Sequence, residues 1–154
     1  MKSFLESFKY ALAGIWHCIA TQRNFRFHTM AALSAVLLSL NYQLTGAERL
    51  VLAFTIVFVL ISEMFNTAIE AVVDMTANGF NIFAKIAKDV AAGAVLVSAV
   101  AASLTGIVLF YANGYFWQVM YGYIKNPLFW LYIAVGLVYI SGILFKNGGK
   151  SSER

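Results

Sequence analysis

The run LVLAFTIVFVLI, Leu50–Ile61, continues without a break into SEMFNTAIEAVVD, Ser62–Asp74, and no other stretch constrains the fold as tightly. The first half is apolar enough for a membrane-crossing helix, whereas its continuation carries Glu63, Asn66, Glu70 and Asp74. On a helix turning about 100° per residue, these four and Thr67 fall within about a 100° sector. Counting about 1.5 Å per residue from Leu50, Glu63 lies roughly 20 Å along and Glu70 roughly 30 Å. The acids therefore begin in the cytoplasmic half of a bilayer and end at its surface. An unpaired charge at such depth is costly, which makes every ionisable residue there a functional candidate.

Composition supports the membrane reading. The chain has 154 residues, 61% hydrophobic and 12% charged, with a mean hydropathy of +0.76; soluble domains are about half apolar and about a quarter charged. Four apolar stretches stand out, Phe27–Leu44, Leu50–Val73, Val90–Tyr111 and Leu128–Phe145, each near the length a helix needs to cross. With a cytoplasmic N-terminus, the inside segments hold Lys2, Lys9, Arg23, Arg26, Lys85, Lys88, Lys146, Lys150 and Arg154, and the outside loops only Arg49 and Lys125. This is a positive-inside asymmetry. It accounts for the net charge of +4 without invoking nucleic acid.

Ahead of the first span, Phe4, Leu5, Phe8, Leu12, Ile15, Trp16 and Ile19 recur at three- and four-residue spacing. They predict an amphipathic helix lying in the interface, or packing as core. Glu6 and Lys9 interrupt what would be the apolar centre of a signal peptide, so the segment is expected to be retained. Trp117, Tyr121, Tyr123, Phe129, Trp130 and Tyr132 form an interfacial aromatic belt around an outer loop. The third span opens DVAAGAVLVSAVAAS, a small-residue face that predicts close helix packing within the chain or between copies. Cys18, the single cysteine, has no partner for a disulfide or a zinc site and reads as a small buried apolar residue.

Three like charges on one stripe repel unless a cation lies among them or some are protonated. Carboxylate and amide oxygens suit a hard divalent ion, which leaves other positions to water and phosphates. AKIAKDVAAG brings Lys85, Lys88 and Asp89 to the same face. Metal-binding acids, a lysine for phosphate and a membrane-level site suit phosphoryl transfer to a lipid. The same row suits proton or ion transport, or the binding of a partner's basic residues. His17 and His28 can share a helical face but lack a third ligand and read as hydrogen-bonding or interfacial residues. Arg23 and Arg26 suit either phosphate contact or snorkelling to headgroups.

SEMFNTAIEAVVD followed by AKDVAAGAVL, with SFKYALAGI and RNFRFH upstream, closely resembles the small bacterial membrane kinases of the diacylglycerol kinase and undecaprenol kinase family, over about residues 3–112. The resemblance implies an all-α integral membrane protein: an amphipathic surface helix over about residues 3–22, and transmembrane helices over about 27–44, 50–74 and 88–111. These make a kinase domain, 1–112, followed by an outer loop and a fourth, C-terminal span, 113–145, and a polar tail, 146–154. It further implies a homotrimer in the bacterial inner membrane, with active sites between subunits at the cytoplasmic face. Mg2+ and ATP serve transfer of the γ-phosphoryl to the hydroxyl of diacylglycerol or undecaprenol. Carried over by position, Glu63 is the general base or orienting group, Glu70 a metal ligand, and Asn66 and Arg26 supporting residues. Lys88, Asp89, Asp74 and Tyr10 line the nucleotide.

No G-x-x-x-x-G-K-[ST] loop is present; the tail NGGKSSER mimics its end, but Leu144 stands at the first glycine. Two departures from the family matter. Gln22 occupies a position where the family usually has a metal-binding glutamate, and the fourth span is absent from three-span members. Gln22 motivates an alternative, a catalytically weakened relative that binds lipid or nucleotide; a small transporter is a third reading.

Overall fold

The computed structural model describes residues 4–76, 79–112 and 114–148, with side chains to Tyr139. Six helices follow in order: α1 Phe4–Thr21, α2 Arg23–Ser39, α3 Gly46–Thr76, α4 Ile82–Gly106 continued by a π-helical segment Ile107–Tyr111, α5 Phe116–Lys125 and α6 Pro127–Gly148. The described residues contain no strand. Lys2, Lys150, Arg154 and the tail beyond Gly148 lie outside them.

α3 and α4 form the antiparallel hairpin on which everything else is built. At about 1.5 Å per residue, the 31 residues of α3 extend about 46 Å, well beyond an apolar layer of about 30 Å. Among the described residues, α3 and Ile82–Tyr111 are the two helices long and apolar enough to cross a membrane. α3 begins four residues before the apolar run because Thr45 and Glu48 form a reciprocal cap. Glu48 Oε2 accepts from Thr45 N at 2.7 Å and Thr45 Oγ1 accepts from Glu48 N at 3.3 Å. α4 likewise starts earlier than hydropathy indicates, since Asn81 Oδ1 caps the Phe83 and Ala84 amides at 2.9 and 3.3 Å. Gly79, at φ 92°, turns the chain between them in a conformation that side chains other than glycine's rarely adopt.

α2 is displaced from the expected 27–44: it begins at Arg23, four residues earlier, and ends five short. It stops at Ser39, because Ser39 Oγ donates to Val36 O at 2.7 Å and Asn41 Nδ2 to Leu37 O at 3.3 Å. Such side-chain bonds to local carbonyls compete with helix continuation. The remaining apolar residues turn inward: Tyr42 and Leu44 pack with Leu52, Leu109 and Phe110, and Tyr42 meets the Phe110 ring edge-on at 5.2 Å. This cluster closes the end of the molecule opposite the acids.

α1 and α2 are separated by one extended residue, Gln22, at φ −95° and ψ 113°. The buried Arg26 braces the joint: its Nη1 donates to Ala20 O at 2.9 Å and Ile19 O at 3.3 Å, carbonyls at the end of α1. Cys18 is buried and free, as expected. Phe4, Leu5, Phe8, Leu12 and Trp16 are instead exposed, so the apolar stripe of α1 is not core within the chain.

The segment expected as an outer loop contains α5, and α5 with α6 docks on α2. Tyr123 Oη donates to Leu37 O at 2.8 Å and accepts from Asn41 Nδ2, while Tyr132 Oη lies 2.7 Å from Ser34 Oγ. Two aromatics of the expected belt are thus docking residues, whereas Trp117, Tyr121 and Trp130 remain exposed. Partial burial pushes the Tyr123 phenol above its usual pKa. Removing that hydroxyl in Tyr123→Phe is expected to destabilise the chain by about 1–2 kcal/mol, measured as a lowered unfolding midpoint in detergent.

Candidate active site

The acidic face of α3 runs from the interior to the surface. Glu63 is 2% exposed, Asn66 and Thr67 are 8%, Glu70 is half-buried and Asp74 is exposed. The common face anticipated from a 3.6-residue period is therefore real, and burial fades along it toward the end of the helix. Asn66 Nδ2 donates to Glu70 Oε1 at 2.8 Å, and Thr67 Oγ1 donates to the Glu63 carbonyl at 2.9 Å. Each bond spans one helical turn, the spacing at which side chains meet.

Glu63 Oε1 and Asn66 Oδ1 are buried without a hydrogen-bond partner. Buried acceptors are nearly always satisfied, so two orphans one turn apart single out this face; Arg26 Nε and Tyr42 Oη are likewise buried without a partner. His28 Nε2 approaches Glu63 Oε1 at 3.4 Å, near enough for an ion pair but not aligned as a hydrogen bond. His28 arrives on α2, and the Arg26 brace two residues earlier fixes where α2 begins. Sequence reading set His28 aside. No periodic signal connects it with Glu63, because only the packing of α2 on α3 brings them together. His17, which could have shared a helical face with His28, lies on α1 across the break at Gln22.

At the exposed end, Lys88 of α4 pairs with Asp74 of α3 across the hairpin, and Lys85 pairs with Asp89 one turn along α4 at 2.6 Å. Both pairs are solvent-accessible, and such pairs contribute about 0–1 kcal/mol. Lys88 and Asp74 are brought together as the sequence suggested, whereas Asp89 answers Lys85 on its own helix. Tyr10 lies on the exposed surface of α1. Gln22 sits at the α1–α2 joint, and its Nε2 donates to Thr21 Oγ1 at 3.2 Å. Arg26 commits Nη1 to α1 carbonyls, a structural duty that spacing did not reveal, while its buried Nε has no partner.

No three His, Cys, Asp or Glu side chains converge as a metal-binding group among the described residues. The Glu70 carboxylate and the unpartnered Asn66 Oδ1 are nonetheless hard oxygen ligands of the right kind. A divalent ion that keeps most positions for water and substrate phosphates needs only one or two of them from the protein.

Residues 9–110 match the sequence family described as prokaryotic diacylglycerol kinase. The chain belongs to that family. It is 46% identical over 105 residues to a diacylglycerol kinase of Synechocystis, covering 68% of this chain and 60% of that protein. It is 38% identical over 110 residues to the undecaprenol kinase of Bacillus subtilis, covering 71% of this chain and 89% of the relative. To the Escherichia coli K12 diacylglycerol kinase it is 29% identical over 104 residues, 68% of this chain and 85% of the relative. Membership makes it one of a family of membrane lipid kinases whose phosphoryl transfer depends on ATP and, typically, a divalent metal. All three alignments are shorter than the chain, which also carries α5 and α6 beyond the family match.

Asn66 Nδ2 holds Glu70 Oε1; if Glu70 binds the divalent ion, losing the residue that orients it costs about 10–100-fold. Asn66→Ala is expected to raise the divalent-ion concentration needed for half-maximal ATP turnover by about that factor, read from an ion titration at fixed ATP.

Proposed function

We propose that this chain transfers the γ-phosphoryl of Mg-ATP to the hydroxyl of a membrane lipid alcohol, diacylglycerol or undecaprenol, giving phosphatidic acid or undecaprenyl phosphate. The observation that carries the reading is Glu63: a carboxylate buried in a membrane-crossing helix, with an oxygen left unpartnered beside His28. A lipid hydroxyl reaching this depth meets an acceptor for its proton. Its Oε1 accepts no hydrogen bond within the chain, so the hydroxyl is oriented by the bond it makes before it reacts.

ATP approaches from the opposite, exposed end of the same acidic face. Lys88 leaves Asp74 for the phosphates and stabilises charge as it develops on them. Asp74 and Asp89 border the nucleotide, with Tyr10 on α1 and Arg26 at the joint as further members of the site. Glu70, held by Asn66, and the amide oxygen of Gln22 would bind the Mg2+ that arrives with ATP. The ion supplies neutralisation of the phosphate oxygens. Glu63 retains the hydroxyl proton while the alcohol oxygen attacks phosphorus, and ADP departs to the cytoplasm.

α2, α3 and α4 are the family's three spans within a kinase unit of residues 1–112. The 113–145 segment, which holds α5 and most of α6, supplies the fourth span. Lys85, Lys88 and the Arg23–Arg26 joint at one end, with Arg49 and Lys125 at the other, support an inner-membrane protein whose site faces the cytoplasm. The exposed apolar stripe of α1 supports a surface helix that meets lipid or neighbouring subunits of a homotrimer.

Gln22 favours a second reading, a weakened kinase, because an amide where the family has a carboxylate gives the ion one charge fewer. Both readings are tested by supplying ATP and Mg2+ to the purified chain in mixed micelles with diacylglycerol or undecaprenol. Phosphorylated lipid is expected, and Glu63→Gln is expected to lower kcat by about 100–10,000-fold. Gln22→Glu is expected to lower the Mg2+ requirement; if it raises an inert parent to activity, the weakened-kinase reading stands. No product from either lipid, with Gln22→Glu also inert, refutes the kinase.

A further inference from the structure

Between α2, α3 and α4, a cavity with Ala32, Ala35, Ala99, Ala102 and Gly106 in its walls reaches His28 and belongs to the site already described. A second cavity, of about 610 Å3, opens at the end of the molecule away from the acids. Its size falls in the range of about 300–1,000 Å3 usual for small-molecule sites. The α2–α3 connection, from Asn41 to Thr45, forms one wall together with Glu48, and the start of α5, from Tyr115 to Val119, forms the other. Because α5 lies beyond the family match at residues 9–110, the kinase unit supplies only one of the two walls. The cavity comes into being where the added hairpin meets the α2–α3 connection.

Its lining is polar and nearly uncharged. Among the described residues that line it, Val119 alone has no polar side-chain atom and Glu48 alone is charged. Glu48 spends Oε2 on the cap with Thr45, and both of those bonds leave Oε1 aside. Asn41 commits its Nδ2 to Leu37 O and Tyr123 Oη, so what it offers a ligand is its carbonyl oxygen. Gln43 and Gln118 lie on opposite walls, each exposed and each carrying both donors and an acceptor. Tyr42 lines the cavity from its buried side: it is 7% exposed, its ring is fixed edge-on against Phe110, and its Oη is buried without a hydrogen-bond partner. A buried hydroxyl is costly to leave unanswered.

We propose that this cavity binds an uncharged, hydroxyl-rich group, a hexose, between the α2–α3 connection and α5. Charge and hydrogen-bonding capacity together select that chemistry. With Glu48 in the wall and no basic residue beside it in the lining, phosphates and carboxylates are repelled. An ammonium group only donates, so it would leave the amide N–H groups of Gln43 and Gln118 and the Tyr42 hydroxyl without acceptors. Each sugar hydroxyl donates and accepts at once, and so answers amides, a phenol and a carboxylate alike. Tyr115 and Trp117 are exposed on the first turn of α5, and aromatic residues of this kind settle at headgroup level. A hexose reaches that level either on a glycolipid or free in water. The site stands apart from the kinase reading and does not depend on it.

Two binding experiments on the purified full-length protein, without ATP, test the site. In the first, methyl β-glucoside is titrated by calorimetry into protein held in an amine-oxide detergent, which carries no sugar of its own. In the second, glucosyl-dioleoylglycerol and dioleoylphosphatidylglycerol compete at equal mole fraction in nanodiscs, and the lipid retained is counted by native mass spectrometry. Saturable uptake of the glucoside, or retention of the glucosyl lipid at least about tenfold above the phosphatidyl lipid, upholds the site. A response from the lipid alone identifies a headgroup, and a response from the free glucoside identifies the sugar itself. Tyr42→Phe removes a hydroxyl that bonds nothing in the chain, so the fold is expected to survive while binding weakens about 3–10-fold. Gln118→Ala, on the opposite wall, is expected to weaken binding to a similar degree, and Val97→Leu, on the exposed side of α4, to leave it unchanged. Absence of glucoside uptake together with no preference for the glucosyl lipid overturns the proposal. Binding that is indifferent to both Tyr42→Phe and Gln118→Ala overturns it as well.

Discussion

Glu63 leaves water with an oxygen unpartnered, in a helix long and apolar enough to cross a membrane, and the other elements of the kinase region answer that expense. An isolated carboxylate is costly at such depth, so something must bring a polar group to it. α2 does so with His28, and α2 stands where it does because Arg26 ties its first turn to the last carbonyls of α1. A single extended residue at Gln22 is all that separates α1 from α2, the helix that carries His28.

Two chemistries then meet along one helix. Toward the surface, α3 carries Glu70 and Asp74 where water reaches them; toward the interior, it borders a cavity lined by alanine and glycine. Glu63 lies between them. Phosphoryl transfer from a soluble donor to a lipid acceptor needs such a junction, because neither substrate can enter the other's solvent. Burial falling from Glu63 to Asp74 expresses that division in the protein.

The α5–α6 hairpin is attached by a different logic. It grips α2 on the side away from the cavity through hydroxyl and amide bonds, with Tyr123 on Leu37 and Asn41 and Tyr132 beside Ser34. Polar contacts of this kind fix orientation where lipid offers no hydrophobic incentive to associate. The hairpin thereby backs the helix that delivers His28.

Residue chemistry read along the chain located the acidic face, since a 3.6-residue period places Glu63, Asn66, Glu70 and Asp74 together on any helix. It also located the long apolar helices, because a bilayer demands them. Their ends were less legible: hydropathy overlooked the Thr45–Glu48 cap and the Asn81 cap, which are polar local signals, and carried α2 past Asn41 to Leu44. An expected outer loop proved to contain a helix, since its aromatics alternate between docking and exposure. What only the tertiary structure decided lies between elements. The approach of His28 to Glu63, the use of Arg26 as a brace, and a cavity where small residues had promised close packing all depend on how helices far apart in sequence pack. The sequence by itself determined which residues share a face, because that follows from the pitch of one helix; which faces meet, and what space they leave, follows from packing.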